Sequence, residues 1–199
     1  RDRLKVLLVS GHPHAGGRMW RDLLTSDPGV DLVHFTILRD PEKFDATPQE
    51  EMALIPFPFQ ELFETKLYDF DLIVFDQYKL NRVLPDFYFK NIVRYVREGG
   101  AFLEASGPSF AGRDSVYNTE LVEILPAVPS GNVLQEAYVP ALAEENLHHP
   151  VVEGLETRRW GHWLRQIAEQ KKSGDTLLNG DNGLPLLILD RVEKGRVAQ

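Results

Sequence analysis

The chain has 199 residues, of which 43% are hydrophobic and 26% are charged, and its formal net charge is −8. These values are typical of one sizeable globular domain, and an acidic chain without a basic stripe is unsuited to binding nucleic acid. The absence of cysteine excludes disulfides, thiolate metal sites and thiol nucleophiles. No apolar run approaches the roughly 18 residues of a membrane span.

The first half of the chain predicts strands and helices in alternation. The run from Leu4 to Gly11 is short, apolar and ended by glycine, which is the pattern of a strand buried on both faces. Further strands are predicted at 30–38, 71–76 and 101–105, and helices at 17–25, 59–68 and 85–98. A Gly-Gly pair at 99–100 predicts the end of the third helix. This order predicts right-handed crossovers and an α/β fold with a doubly wound, mostly parallel sheet flanked by helices.

Two parts of the chain are less regular. Between residues 40 and 58 four prolines exclude a long helix, so this segment is predicted to be a loop. The second half predicts a short helix at 118–125 and strands at 133–139, 176–178, 185–190 and 196–199. Without an interdomain linker, residues 1–199 are expected to form a single domain. Because the chain begins at Arg1 and stops within a predicted strand at Gln199, we expect it to be part of a longer protein.

Candidate site residues follow from the predicted sheet. Ligands of an open parallel sheet bind beyond the carboxyl ends of its strands, so the loops that follow the strands are expected to converge there. The first of these loops contains glycines but neither G-x-G-x-x-G nor a P-loop pattern, which disfavours a dinucleotide site. The side chains expected to bind a ligand at this edge are His12, His14, Asp76, Tyr78, Glu104 and Ser106.

Two of these positions suggest a more specific chemistry. His12 and His14 could hold a metal ion together with a strand-end carboxylate, although residues two apart on a loop need not point the same way. Ser106 directly follows a strand, where a nucleophile elbow would lie. Such a serine requires a histidine base. The downstream candidates for that base are His148, His149 and His162.

The elbow pattern at Ser106 is incomplete. A nucleophile elbow has small residues two positions before and after the nucleophile because its turn is sharp. Here those positions hold Glu104 and Pro108. Capping of a turn is therefore the alternative role for this serine.

Five segments and one predicted helix carry the pattern of a known family. The helix is the one that contains Trp20, and the segments are LKVLLVSG, DLIVFD, YVREGGAFLEASGP, HPVVEGL and LPLLILDRVEKGRV. Together they resemble the class I glutamine amidotransferase-like superfamily and, more closely, predicted bacterial membrane proteins. In those proteins such a domain follows membrane helices and a von Willebrand factor A-like region. The resemblance implies a flavodoxin-like fold over the whole chain, in a domain that is tethered at the cell envelope and faces the periplasm.

The resemblance does not carry the activity with it. Enzymes of that superfamily place a cysteine after the strand that matches 101–105, where this chain has Ser106 and no cysteine. Their His-x-Glu pair is also lacking, since His149-Pro150 is followed by Val151. The resemblance therefore implies a non-catalytic domain without a cofactor. Its partner is expected to be a small ligand, the rest of the parent membrane protein or another envelope protein. It is not expected to bind nucleic acid or to insert into the membrane. A serine hydrolase at Ser106 and a metal site at His12 and His14 are the alternatives.

Overall fold

The computed structural model describes residues 3–37, 58–80 and 84–199. Its strands are β1 Leu4–Ser10, β2 Val30–Thr36, β3 Leu72–Asp76, β4 Ala101–Ala105, β5 Ala127–Leu134, β6 Ala141–Leu142, β7 Gln166–Lys171, β8 Asp175–Asn179, β9 Pro185–Val192 and β10 Gly195–Ala198. Eight of them form one sheet in the order β2-β1-β3-β4-β10-β9-β8-β6. The remaining two, β5 and β7, form an antiparallel ribbon.

The predicted mostly parallel, flavodoxin-like sheet is wrong, because the sheet is mixed. Strands β2, β1, β3, β4 and β10 run parallel, whereas β9, β8 and β6 join them through antiparallel pairs. The reason is visible where β9 meets β10. Only Glu193 and Lys194 connect these strands, and so short a turn permits antiparallel pairing alone, since a parallel pair needs a crossover of a dozen or more residues.

Two α-helices are found in the described residues, α1 at Ala15–Ser26 and α2 at Asp86–Arg97, where helices were predicted. Between them, the predicted helix at 59–68 is a π turn at Glu61–Thr65 followed by a 3-10 turn at Leu67–Asp69. The predicted loop at 40–58 lies almost wholly outside the described residues. Within the described ranges, no helix is both long enough and apolar enough to cross a membrane.

Two predictions in the second half of the chain are also corrected. The predicted helix at 118–125 is a pair of 3-10 turns, Val116–Asn118 and Glu120–Glu123. The predicted outer strand at 133–139 lies earlier, as β5.

The helices α1 and α2 cover opposite faces of the parallel strands. Along β1, Leu7 and Val9 belong to the core that includes the apolar side of α2, whereas Val6 and Leu8 contact the side of α1. This alternation is the two-residue period of a strand, and it explains why β1 is apolar on both faces. The crossovers therefore leave β1 and β3 in opposite directions and open a crevice at their carboxyl ends.

Gly99 and Gly100 end α2 for two different reasons. Gly99 has a backbone φ of 129°, a conformation that residues with a side chain rarely adopt. A Cβ on Gly100 would instead lie 2.2 Å from Cζ of Tyr95. The Tyr95 ring cannot move away easily, because it is buried and its hydroxyl donates to the carbonyl of Phe70 at 2.9 Å.

We therefore expect Gly100→Ala to lower the free energy of unfolding by roughly 1–3 kcal/mol, the usual cost of overpacking a core. Equilibrium urea unfolding measures this change. Gly161→Ala is the matched control, because Gly161 is exposed and has no atom within 4 Å of the added Cβ. Equal unfolding midpoints for the two variants would contradict the packing described here.

Candidate functional site

The crevice is built on the aligned ends of β1 and β3. Ser10 ends β1 and pairs in register with Asp76, which ends β3. Both residues are almost fully buried, with relative exposures of 1% and 2%. A buried carboxylate requires hydrogen-bond donors around it, so the surroundings of Asp76 define the site.

Asp76 receives two side-chain hydrogen bonds. Its Oδ2 atom accepts from Ser10 Oγ at 3.1 Å and lies 2.6 Å from Nε2 of His14. The other ring nitrogen of His14, Nδ1, lies 3.1 Å from the side-chain amide nitrogen of Gln77. An amide nitrogen can only donate, so Nδ1 accepts and Nε2 carries the proton given to Asp76. The two contacts thus fix the tautomer and the orientation of the ring.

Three loops converge on Gln77. This residue has a φ of 48°, an uncommon conformation for a non-glycine residue and one typical of functional sites. A Cβ on Gly11 would lie 2.2 Å from the Gln77 carbonyl oxygen, and one on Gly107 would lie 2.9 Å from its Cβ. The loops after β1 and β4 therefore need glycine where they touch the loop after β3.

His34 extends the network onto β2. Its Nε2 atom lies 3.2 Å from Ser10 Oγ and 3.2 Å from Thr36 Oγ1. Burial, reinforced by the charge of Arg21 and opposed by that of Asp76, lowers the pKa of His34 and so favours its neutral form. Ser10, His34 and Gln77 were not among the ligand-binding residues predicted from the sequence. A histidine inside the apolar run of β2 was the one available signal.

A cleft of about 760 Å³ opens beside this network. It is lined by Ser10, His12, Pro13, His14, Ala15, Gly17, Arg18, Met19, Arg21, Asp22, His34 and Thr36. The start of α1 faces it without a cap, because His14 makes no capping hydrogen bond and the first turn contains no acidic residue. The amide of Gly17 donates to the His14 carbonyl at 3.1 Å, and no described group accepts from the amides of Ala15 and Gly16. These two amides and the positive end of the helix dipole thus remain available to a ligand.

The predicted site residues fall into two groups. His12, which is exposed, and His14 lie at the cleft with Asp76 behind them, and the two imidazole centroids are 5.4 Å apart. Glu104 and Ser106 lie instead in a separate buried cluster under the β5–β7 ribbon. Tyr78 belongs to the core, where it stacks on Phe75 with a centroid distance of 4.6 Å and where burial raises its pKa.

The geometry gives no support to a nucleophile at Ser106. Its Oγ atom is buried and has no hydrogen-bond partner, although all six histidines of the sequence lie in the described ranges. Of the predicted bases, His149 directs Nδ1 to the backbone amide of Val151 at 3.2 Å, and His148 and His162 make no hydrogen bond to the serine.

The metal alternative is likewise unsupported. No group of three or more metal-binding side chains comes together in the part of the chain that the structure describes. His14 already directs Nε2 to Asp76 and Nδ1 to Gln77.

A second cavity, of about 620 Å³, lies on the sheet surface over β4, β10 and β9. Its floor is mainly apolar and includes Leu72, Leu103 and Leu189. The hydrogen-bonded network around Asp76 does not reach it, so the cleft beside α1 is the better candidate for a specific polar ligand.

No protein-family model and no curated protein matches this chain. Among solved structures, the cytoplasmic protein STM3548 from Salmonella typhimurium is similar, with a TM-score of 0.70 and 21% identity over 98% of this chain and 86% of that one. An exo-β-1,4-mannosidase from Opitutaceae bacterium strain TAV5 has a TM-score of 0.51 and 13% identity over 99% of this chain and 30% of its own. A catalytic mutant of the GH42 β-galactosidase Gan42B from G. stearothermophilus has a TM-score of 0.54 and 11% identity over 100% of this chain and 27% of its own.

These similarities concern the fold alone, and this chain spans less than a third of either glycoside hydrolase. None of the three is described as a glutamine amidotransferase or as a membrane protein. The descriptions that the sequence resemblance suggested, amidotransferase-like and membrane-protein domain, are therefore not supported. Together with the mixed sheet, the neighbours also overturn the predicted flavodoxin-like class.

The tautomer of His14 tests the network directly. We expect long-range proton–nitrogen spectra of the neutral ring to show the proton on Nε2, because Asp76 accepts it and the Gln77 amide donates to Nδ1. Gln77→Leu should cost about 0.5–1.5 kcal/mol of stability and release the fixed tautomer. Gln170→Leu, at an exposed position, is the control. A proton found on Nδ1 in the unmodified protein would contradict this arrangement.

Proposed function

We propose that this chain is a non-catalytic binding domain whose crevice takes a small oxyanion, a carboxylate or a phosphate. The observation that carries the proposal is the network of Ser10, His14, Asp76 and Gln77, which opens into a cleft of about 760 Å³. Small-molecule sites typically have volumes of about 300–1,000 Å³ and a few polar groups that converge.

The charge of the cleft favours an anion. Arg18 and Arg21 line it, and Asp22 is the one acidic residue among the described lining residues. Asp22 lies 3.5 Å from Nε of Arg21, but both side chains are exposed, so this ion pair is weak. The uncapped start of α1 adds free amides and a partial positive charge to the same surface. The described lining residues thus carry a net charge of +1, from Arg18 and Arg21 against Asp22, on a chain whose net charge is −8. The carboxylate of Asp76 lies behind them and already receives hydrogen bonds from Ser10 and His14.

The proposal of binding without catalysis is supported by the lack of a nucleophile and of a free base among the predicted site residues. The sequence has no cysteine, and Ser106 has no base. Both ring nitrogens of His14 are held by protein partners, so neither is free to move a substrate proton in this conformation. Attachment to a longer envelope protein, facing the periplasm, stays a prediction from the sequence.

Ala15→Asp tests the proposed site because it should change binding and stability in opposite directions. Ala15 is exposed in the first turn of α1, where a carboxylate would interact with the free amides. We expect stability to rise by about 0.3–1 kcal/mol and the affinity for inorganic phosphate or acetate to fall at least tenfold. Thermal unfolding and amide chemical shifts measure the two effects at constant ionic strength.

Two controls sharpen this experiment. Ala15→Asn keeps the added volume without the charge and should retain binding. Arg18→Gln should weaken binding, whereas Arg3→Gln, at the opposite end of β1, should not.

A larger response to phosphate than to acetate, or the reverse, tells which oxyanion the site prefers. If neither probe shifts the amides of residues 15–17, the proposed function is wrong.

A further inference from the structure

Glu104, the fourth residue of β4, is a buried carboxyl without a hydrogen bond. The residue is 1% exposed, and neither of its carboxyl oxygens has a partner in the described chain. The neighbouring Ser106 Oγ is also buried without a partner. An ionised carboxylate in such surroundings is strongly disfavoured, so the group must gain a compensating charge or stay neutral.

A second buried carboxyl approaches from the β5–β7 ribbon. Glu169 on β7 is 7% exposed, and its Oε2 atom accepts from Nε2 of Gln199 at 3.1 Å. Gln199 follows β10 at the centre of the sheet, and its Oε1 atom accepts from the backbone amide of Ala127 on β5 at 3.1 Å. One amide side chain therefore ties both strands of the ribbon to the sheet, directly beside the carboxyl pair.

The groups that act on Glu104 do not neutralise it. Glu169 approaches from β7, Asp76 from β3 and Tyr78 from the loop after β3. The elements β5 and the 3-10 turn Pro108–Ala111, which pack in the same region, contain no titratable side chain. Strand β10, which pairs with β4, carries Arg196, but this side chain is exposed and lines the separate cavity over the sheet together with Leu103. His14 donates a hydrogen bond to Asp76 on the crevice side, whereas no described side chain donates to either oxygen of Glu104.

The burial of Glu104 and Glu169 and the charges around them both favour the protonated form of the two carboxyl groups. Burial, followed by the charges of Glu169 and Asp76, raises the pKa of Glu104 well above its usual range. Burial raises the pKa of Glu169 to about 7, an effect that the nearby Ser106 and Gln199 side chains partly oppose. Both carboxyls therefore keep protons at a pH where carboxyls of the unfolded chain have lost them.

We infer that Glu104 and Glu169 form a proton-dependent latch, which holds the β5–β7 ribbon on the sheet while the pair is protonated and weakens when its protons are lost. The folded chain binds more protons than the unfolded chain between the ordinary carboxyl pKa of 4.5 and the value of about 7 for Glu169. Stability must then be greatest below that window and fall as the pH rises through it. This inference does not depend on an anion in the crevice.

Urea unfolding of the unmodified chain between pH 5 and pH 9 tests the latch. We expect the unfolding midpoint to fall between pH 5 and pH 8. Glu104→Gln keeps the shape of the side chain without its acid, so it should lose most of this fall. The ratio of the unfolding constant at pH 8 to that at pH 5 should be at least tenfold smaller in this variant than in the unmodified chain. Glu153→Gln, at an exposed position, should behave like the unmodified chain.

A second variant and a local measurement keep the test decisive if Glu104→Gln folds poorly. Glu169→Gln should remove the same pH dependence. Hydrogen exchange, corrected for its intrinsic pH dependence, should show the amides of β5 and β7 opening more often at pH 8 than at pH 6, with those of β1 unchanged. A midpoint that is flat or rises with pH would overturn the latch. Sodium, potassium or calcium could instead stabilise the unmodified chain at pH 8 and fail to stabilise Glu104→Gln. That result would show a bound cation in place of the proton, and it would also overturn the latch.

Discussion

The parallel pairing of β1 with β3 is the constraint on which the rest of the structure depends. It brings Ser10 beside Asp76 at the carboxyl edge, and it sends the two crossovers to opposite faces of the sheet. The crevice exists because the chain leaves that edge in two directions. The carboxylate placed there is buried, so the loops around it must supply donors, and His14 with Ser10 does so.

Two buried carboxyl groups at the same edge of the sheet have different surroundings. Asp76 is satisfied by donors and remains open to the cleft through His14. Glu104, on the adjacent strand, has no donor and faces another acid under the ribbon. The two regions meet where Gly107 packs on Gln77, the residue that orients His14. The backbone amide of Gln77 also donates to the carbonyl of Ala105, between Glu104 and Ser106, at 2.9 Å.

The mixed sheet limits what fold similarity says about this chain. The parallel half resembles the expected architecture, but three antiparallel strands and the separate ribbon depart from it. Its structural neighbours include glycoside hydrolases and a cytoplasmic Salmonella protein, which share a fold and little sequence. Function must therefore be argued from the crevice and its charges, because one fold supports many activities.

Apolar patterning determined much of the first half from the sequence alone. The runs that became β1, β3 and β4, the two α-helices and the placing of His14, Asp76 and Glu104 near strand ends follow from local periodicity and chain order. The lack of a thiol nucleophile also follows from composition. Only the tertiary structure decided that β9, β8 and β6 join antiparallel, that Tyr78 is core, and that Glu169 is buried close enough to act on Glu104. The reason is that these contacts link distant residues: His14 and Asp76 are 62 positions apart, and Glu169 and Gln199 are 30. Strand register brings such pairs together, and local sequence patterns do not encode register between distant strands.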